Sequence, residues 1–275
     1  MAVADGPSKR SSMPEPLLIR YMQPLISGRR AECFTLIADA LAAGQSAEEL
    51  VSDVIWPAMV QVDRLFRDDR INSAAEHMAC RINRAVAGQL QPRLAQEPRN
   101  QKRVLVTCGV GDQEELGAAL VADLLQADGW EVFHVGGGVP EDEILAMVGR
   151  VRPQVLVLFA TRPEDVPDTR RLVEMIREVG VCPTMNIIVS GGIYNRADGL
   201  WQEVGADLFS PSPRELRATL RDLEPRQPHA QRVAVVKKRH RRRKSAATPA
   251  AGQGSSAHAA ADHGSTTPEP ALAGT

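Results

Sequence analysis

From Arg103 onward, short apolar runs alternate with amphipathic stretches, and this rhythm constrains the fold more than any other feature of the sequence. Residues 103–108, 131–135, 155–160, 186–190 and 206–209 read as strands. Amphipathic stretches at 114–128, from Pro140 onward, near 165–179, 197–204 and 213–222 read as helices. Gly129 closes the first of these, and Pro140 takes the first-turn position that its missing N–H and fixed φ favour. No proline interrupts a strand. Strands that alternate with helices predict a parallel α/β sheet of five strands. Such sheets bind ligands beyond the carboxyl ends of their strands, so a site is expected among 108–117, 135–140, 159–163, 190–194 and 209–213.

The preceding segment follows a different period. Residues 13–92 contain no strand-like alternation and predict helices at 14–26, 29–43, 47–67 and 72–91. Ser46 with Glu49 three residues on forms a capping box, and Gly44 ends the helix before it. Leu50, Val54, Ile55, Met59, Val62 and Phe66 recur at helical spacing and make one apolar stripe. Four helices with short links predict a small bundle. The expected organisation is a disordered leader (1–12), a helical domain (13–100), an α/β domain (101–225) and a disordered basic tail (226–275).

Charge separates the tail from the body. The whole chain carries a net charge of −1, but residues 226–275 hold nine Lys and Arg against two Asp and Glu. The body is therefore acidic, which excludes a uniformly basic nucleic-acid-binding fold. Lys237 to Lys244 places seven fixed cations in eight residues, flanked by Ala, Ser, Gly, Thr and Pro. Without aromatics it offers no base-stacking platform, and it would meet nucleic-acid phosphates non-specifically, or serve only solubility. No apolar run approaches the roughly 18 residues of a membrane span, and the first residues lack the apolar core of a secretion signal. Four scattered cysteines form no C-x-x-C, which fits a reducing cytoplasm.

Common chemistries fail in the loops. Gly109-Val-Gly111 begins a dinucleotide fingerprint, but Glu114 stands where its third glycine belongs. There is no P-loop and no G-x-S-x-G elbow; a receiver-type aspartate is missing where the third strand ends, at residues 159–162. Only His77 and His134 lie in the body, which disfavours serine or cysteine catalysis.

The order of bundle and sheet, with its loop motifs, resembles the cobalamin-binding modules of methionine synthase, corrinoid methyl-carrier proteins and light-responsive cobalamin-dependent regulators. The resemblance spans about residues 14–223 and implies a Rossmann-like, flavodoxin-type sheet under a helical cap. Asp112-Gln-Glu-Glu-Leu-Gly117 stands in the place of the family's D-x-H-x-x-G, with Glu114 where the cobalt-ligating histidine would be. Gly136-Gly-Gly-Val139-Pro140 is similar to the L-G-x-x-V-P mark, and Gly191-Gly192 to the glycine pair beside the nucleotide tail. Phe159-Ala-Thr161 replaces a serine turn that bonds that tail. Phe66, nine residues, then Glu76-His77 resembles a Trp…Glu-His frame above the cofactor. The resemblance thus implies cobalamin contacts at Phe66, Glu76, His77, Asp112, Gly117, Gly136, Val139, Thr161, Gly191 and Gly192.

Each residue also has a plainer reading. A carboxylate is a hard donor, so Glu114 is not expected to ligate cobalt. Asp112 and Glu114 also suit a helix N-terminus. His77 is either an upper ligand or a hydrogen-bonding partner on the bundle surface. His134 is expected to be packed within its strand. Phe159 either plugs the tail channel or is ordinary core, and Phe66 also suits core. The implied function is a cytoplasmic, non-enzymatic cobalamin-binding sensor or regulator. With about 13 residues before the bundle and no DNA-binding domain there, it is expected to act through a protein partner, such as a transcription factor, or through its tail. The alternatives are a corrinoid methyl-carrier subunit beside a methyltransferase, and a module that kept the fold and lost cobalamin.

Overall fold

A computed structural model describes residues 15–228. The leader 1–12 and the basic run 237–244 lie outside the described residues. The helical part comprises α1 (Leu17–Ile26), α2 (Arg30–Ala42), α3 (Ala47–Leu50), α4 (Trp56–Arg67) and α5 (Ser73–Leu90). Both halves of the Ser46–Glu49 capping box form, and Asn72 caps α5 by accepting from the Ala75 N–H at 2.9 Å. The stretch expected as one helix over 47–67 is interrupted by a π-helical turn at Val51–Ile55. Pro57 supplies no N–H to the Asp53 carbonyl, and the widened turn just before it absorbs the missing bond. Tyr21 is fully buried and donates its hydroxyl to Asn83 Oδ1 at 2.9 Å, which pins α1 to α5.

The α/β part runs β1 (Arg103–Cys108), α6 (Asp112–Ala127), β2 (Glu131–Gly136), α7 (Glu141–Val151), β3 (Val155–Phe159), α8 (Val166–Val179), β4 (Asn186–Ser190), α9 (Gly192–Arg196), α10 (Leu200–Glu203), β5 (Leu208–Ser210) and α11 (Pro213–Arg221). All strand pairs are parallel, in the order β2-β1-β3-β4-β5. The order reverses between β1 and β3, where a crevice opens at the carboxyl edge. β3 and β4 are buried along their whole length, as continuous apolar runs demand when both faces are covered. Gly191 leaves β4 at φ +108°, and a Cβ there would stand 2.1 Å from the Ala160 carbonyl oxygen, so only glycine fits.

One apolar core unites the helical part with α6, α11 and one sheet face; a second lies between the other face and α7 and α8. Arg217 of α11, mostly buried, chelates Asp128 at the end of α6 and also reaches Glu48 of α3. Arg214 meets Asp53 at 3.0 Å. Arg226, grouped with the tail by charge, is tied to the body: its Nε bonds Asp207 Oδ1 at 2.7 Å, and its N–H donates to the Thr184 carbonyl. His134, expected to be packed, is exposed because β2 is an edge strand.

Candidate functional site

β1 delivers the chain through Gly109-Val110-Gly111 into the first turn of α6. Three acidic residues follow at the positive helix end, where negative charge is stabilising. Each turns a different way. Asp112 reaches the helical part, where its Oδ2 accepts from His77 Nδ1 at 3.1 Å. Glu114 turns inward, 2% exposed, accepts from the Thr161 hydroxyl, and pairs with Arg162 Nε at 3.4 Å. Glu115 accepts from the Gly137 N–H at 2.7 Å and so fixes the glycine turn after β2.

His77 sits at the start of α5 with its ring about half exposed, Nδ1 on Asp112 and Nε2 3.7 Å from Glu76. The partner that the sequence left unnamed is thus a residue of α6. A carboxylate only accepts, so Nδ1 carries the proton in that bond. Glu76 is buried and accepts from Gln113 Nε2 at 2.9 Å and from the Cys80 thiol at 3.3 Å. Burial, together with the Glu76 charge, pushes the Cys80 thiol far above its ordinary range.

Phe159 ends β3 and is 2% exposed. Its ring lies edge-on to Trp56 of α4, 5.9 Å between centroids, and over Gly117 of α6. A Cβ at Gly117 would stand 2.4 Å from that ring, so glycine and phenylalanine share one hollow. Between α4 and the strand ends a cleft of about 110 Å³ remains, lined by Trp56, Met59, Val60, Thr161, Gly192 and Arg196. Arg196 of α9 closes it: Nη2 donates to the Thr161 carbonyl, and Nη1 meets Asp63 of α4 at 3.3 Å.

The structure therefore brings Glu76, His77, Asp112, Gly117, Thr161, Gly191 and Gly192 to one margin of the sheet. Val139 lines a separate cavity, and Gly136 stands beside the Glu115 carboxylate of α6. Phe66 is not brought in; it is 39% exposed and does not line the cleft. It stands roughly 10 Å beyond Met59 along the α4 axis, and Trp56 meets Phe159 in its stead. Sequence reasoning missed Trp56, Glu115, Arg162 and Arg196. Glu115 carried a signal, an acid in the first helical turn facing a glycine-rich loop; Arg196 carried none.

A helical cap seated on a parallel sheet, with glycine-rich loops at the carboxyl edge beneath it, defines a capped α/β cofactor-binding module. Residues 18–91 and 102–216 each match a family model described as a B12 binding domain. The chain belongs to this cobalamin-binding family, helical cap included. Dimethylamine corrinoid protein 1 of Methanosarcina mazei is 22% identical over 212 residues, covering 76% of this chain and 96% of that protein. Trimethylamine corrinoid protein of Methanosarcina barkeri is 24% identical over 189 residues, covering 66% and 85%. The monomethylamine corrinoid protein structure of Methanosarcina barkeri superposes with a TM-score of 0.66 at 18% identity, over 75% of this chain and 98% of that one, and shares the fold. The expectation of a cofactor-binding protein rather than an enzyme agrees with these relatives. Among the described residues no helix is long and apolar enough to cross a membrane.

Cobalamin is the cofactor of this family. The lower side of this site does not fit a cobalamin ligated by a protein histidine. Glu114 is a carboxylate already engaged by Thr161 and Arg162, and no histidine lies in residues 108–117. The hollow over Gly117 is filled by Phe159.

Proposed function

We propose that the protein is a corrinoid carrier, a non-enzymatic subunit that offers cobalamin at its carboxyl edge to a methyltransferase partner. The observation that carries this reading is the ordered match of cap and sheet to corrinoid proteins along nearly their whole length. None of the relatives reported above is named as a regulator, so the carrier reading takes precedence over the sensor reading. Bound cobalamin supplies a cobalt centre that accepts and gives up a methyl group.

The chain's own residues do the holding. Trp56, Met59 and Val60 form an apolar wall on the cap side, and Gly191 and Gly192 keep the strand end low beneath it. Arg162 and Thr161 both engage Oε1 of Glu114 and hold that carboxylate in place. Phe159 fills the hollow over Gly117 that a nucleotide arm would need in order to enter beside the sheet. The cleft is smaller than ordinary ligand pockets of about 300–1,000 Å³. The Arg196–Asp63 bridge must therefore part to admit a macrocycle.

The test is titration of full-length protein with methylcobalamin, followed in the visible spectrum, then EPR of the Co(II) form with and without ¹⁵N-histidine. Saturable spectral change is expected, with no response to the isotope. Absence of binding would leave the module without its cofactor; an isotope response would place a histidine on cobalt. Gel filtration with adenosylcobalamin should give the same oligomeric state in dark and light; a light-driven change would restore the regulator.

A further inference from the structure

A cavity of about 400 Å³ opens on the other side of the β1–β3 crevice, between the sheet and helices α7 and α8. It belongs to the second core, away from the cap, and shares only Phe159 with the cleft described above. Its size falls within the range of small-molecule pockets, and its place at the reversal of strand order is where open parallel sheets bind ligands. Val139, Ile144 and Leu172 supply apolar walls.

Its charged lining residues are all acidic: Glu141, Asp165 and Asp168, with no lysine, arginine or histidine. Arg171 bridges Glu141 and Asp168 from outside and is 61% exposed. Asp165 differs from these two. Its Oδ1 accepts from Arg162 at 3.3 Å, while its Oδ2 is buried without a hydrogen-bond partner. Leaving a buried carboxylate oxygen unpaired costs its desolvation with nothing to offset it. The chain accommodates it by a glycine, since a Cβ at Gly109 would stand 2.5–2.6 Å from the whole carboxylate group. Cys108, also on the wall, reports the same negative field. Burial first, then Glu115, Glu114 and Asp165, push its thiol up to about 12.

We propose that this cavity is a second ligand site, which takes a small primary ammonium carrying an apolar body. The body fills the Val139–Ile144–Leu172 walls, and the ammonium donates to Asp165, completing the oxygen that the protein leaves bare. Phosphates and carboxylates are excluded by the acidic lining. The proposal does not rest on cobalamin, because the cavity lies off the cap side of the sheet.

The experiment is an NMR and calorimetric titration of full-length protein with three probes of similar size: phenethylammonium, phenethyl alcohol and 3-phenylpropionate. Saturable binding is expected for the ammonium, at least tenfold weaker binding for the alcohol, and none for the carboxylate. Asp165→Asn, which keeps the shape, should weaken the ammonium at least fivefold, and Val139→Trp should abolish it with circular dichroism unchanged. Equal binding of all three probes, or none, would overturn the proposal on the unaltered protein. Unchanged titrations of both variants would overturn it for this cavity. The same titration repeated with methylcobalamin present separates the two sites, since the ammonium affinity should persist whether or not the corrinoid binds.

Discussion

The two sides of the carboxyl edge are built from the same strand ends and end up opposite in character. On the cap side Phe159, Trp56 and Gly117 interlock, and a cleft of only about 110 Å³ is left. On the α7–α8 side a cavity of about 400 Å³ stands open between apolar walls. Successive strand residues face opposite ways, so Leu158 and Phe159 belong to different cores. One aromatic ring at the last position of β3 is enough to fill one side while leaving the other hollow. The character of the edge is therefore set side by side-chain volume, not by the backbone.

This contrast can be broken by substitution. Phe159→Ala should cost about 3–5 kcal/mol in urea unfolding, the loss expected for a tightly packed aromatic. Val139→Ala, half-buried on the hollow side, should cost under about 1.5 kcal/mol. Equal losses would mean that the two sides are packed alike. Gly117→Ala should cost about 1–3 kcal/mol by overpacking against the ring. That cost should shrink in a Phe159→Leu background, so a double-mutant cycle with no coupling would show that ring and glycine do not share their hollow.

The contrast can also be sharpened. Glu114→His with Phe159→Ser restores a nitrogen donor and empties the hollow, and should tighten methylcobalamin at least tenfold, about 1.4 kcal/mol. Glu114→His alone should change the titration little. A further prediction concerns Asp123 of α6, whose carboxyl is pushed up to about 6 by burial. The folded state holds that proton more tightly than the unfolded chain. The stability this gives is fully present below about pH 4 and is lost as pH rises through about 6. Asp123→Asn should flatten Tm across that window; an unchanged slope would assign the dependence elsewhere.

Much of this was legible in residue order. The apolar runs carry the strands because buried parallel strands need no polar alternation, and Ser46 with Glu49 marks a helix start by purely local bonds. Asp112, Glu114 and the two glycine loops could be placed because a parallel sheet gathers them at one edge. The contacts between them could not. The Arg196–Asp63 bridge joins residues 133 positions apart, and no local pattern encodes it. The stripe through Phe66 was correct as helix periodicity, but how far along the axis the sheet edge falls depends on how the cap is seated. The π turn before Pro57 was likewise hidden, since a proline permits a kink, a break or a widened turn.

The clamp at Arg217 bears on the order in which the molecule is assembled. Glu48 and Arg217 are 169 positions apart, and Asp53 and Arg214 are 161 apart. A ribosome releases the cap helices first, yet the residues that lock α3 in place arrive with α11, after every strand has been made. Local helices form in microseconds, whereas closure of so long a loop waits on the whole intervening sheet. Until β3 has been made, the apolar underside of the cap lacks the Phe159 ring on which Trp56 packs. The ties of the cap to α11 are therefore completed only after the whole sheet has been made.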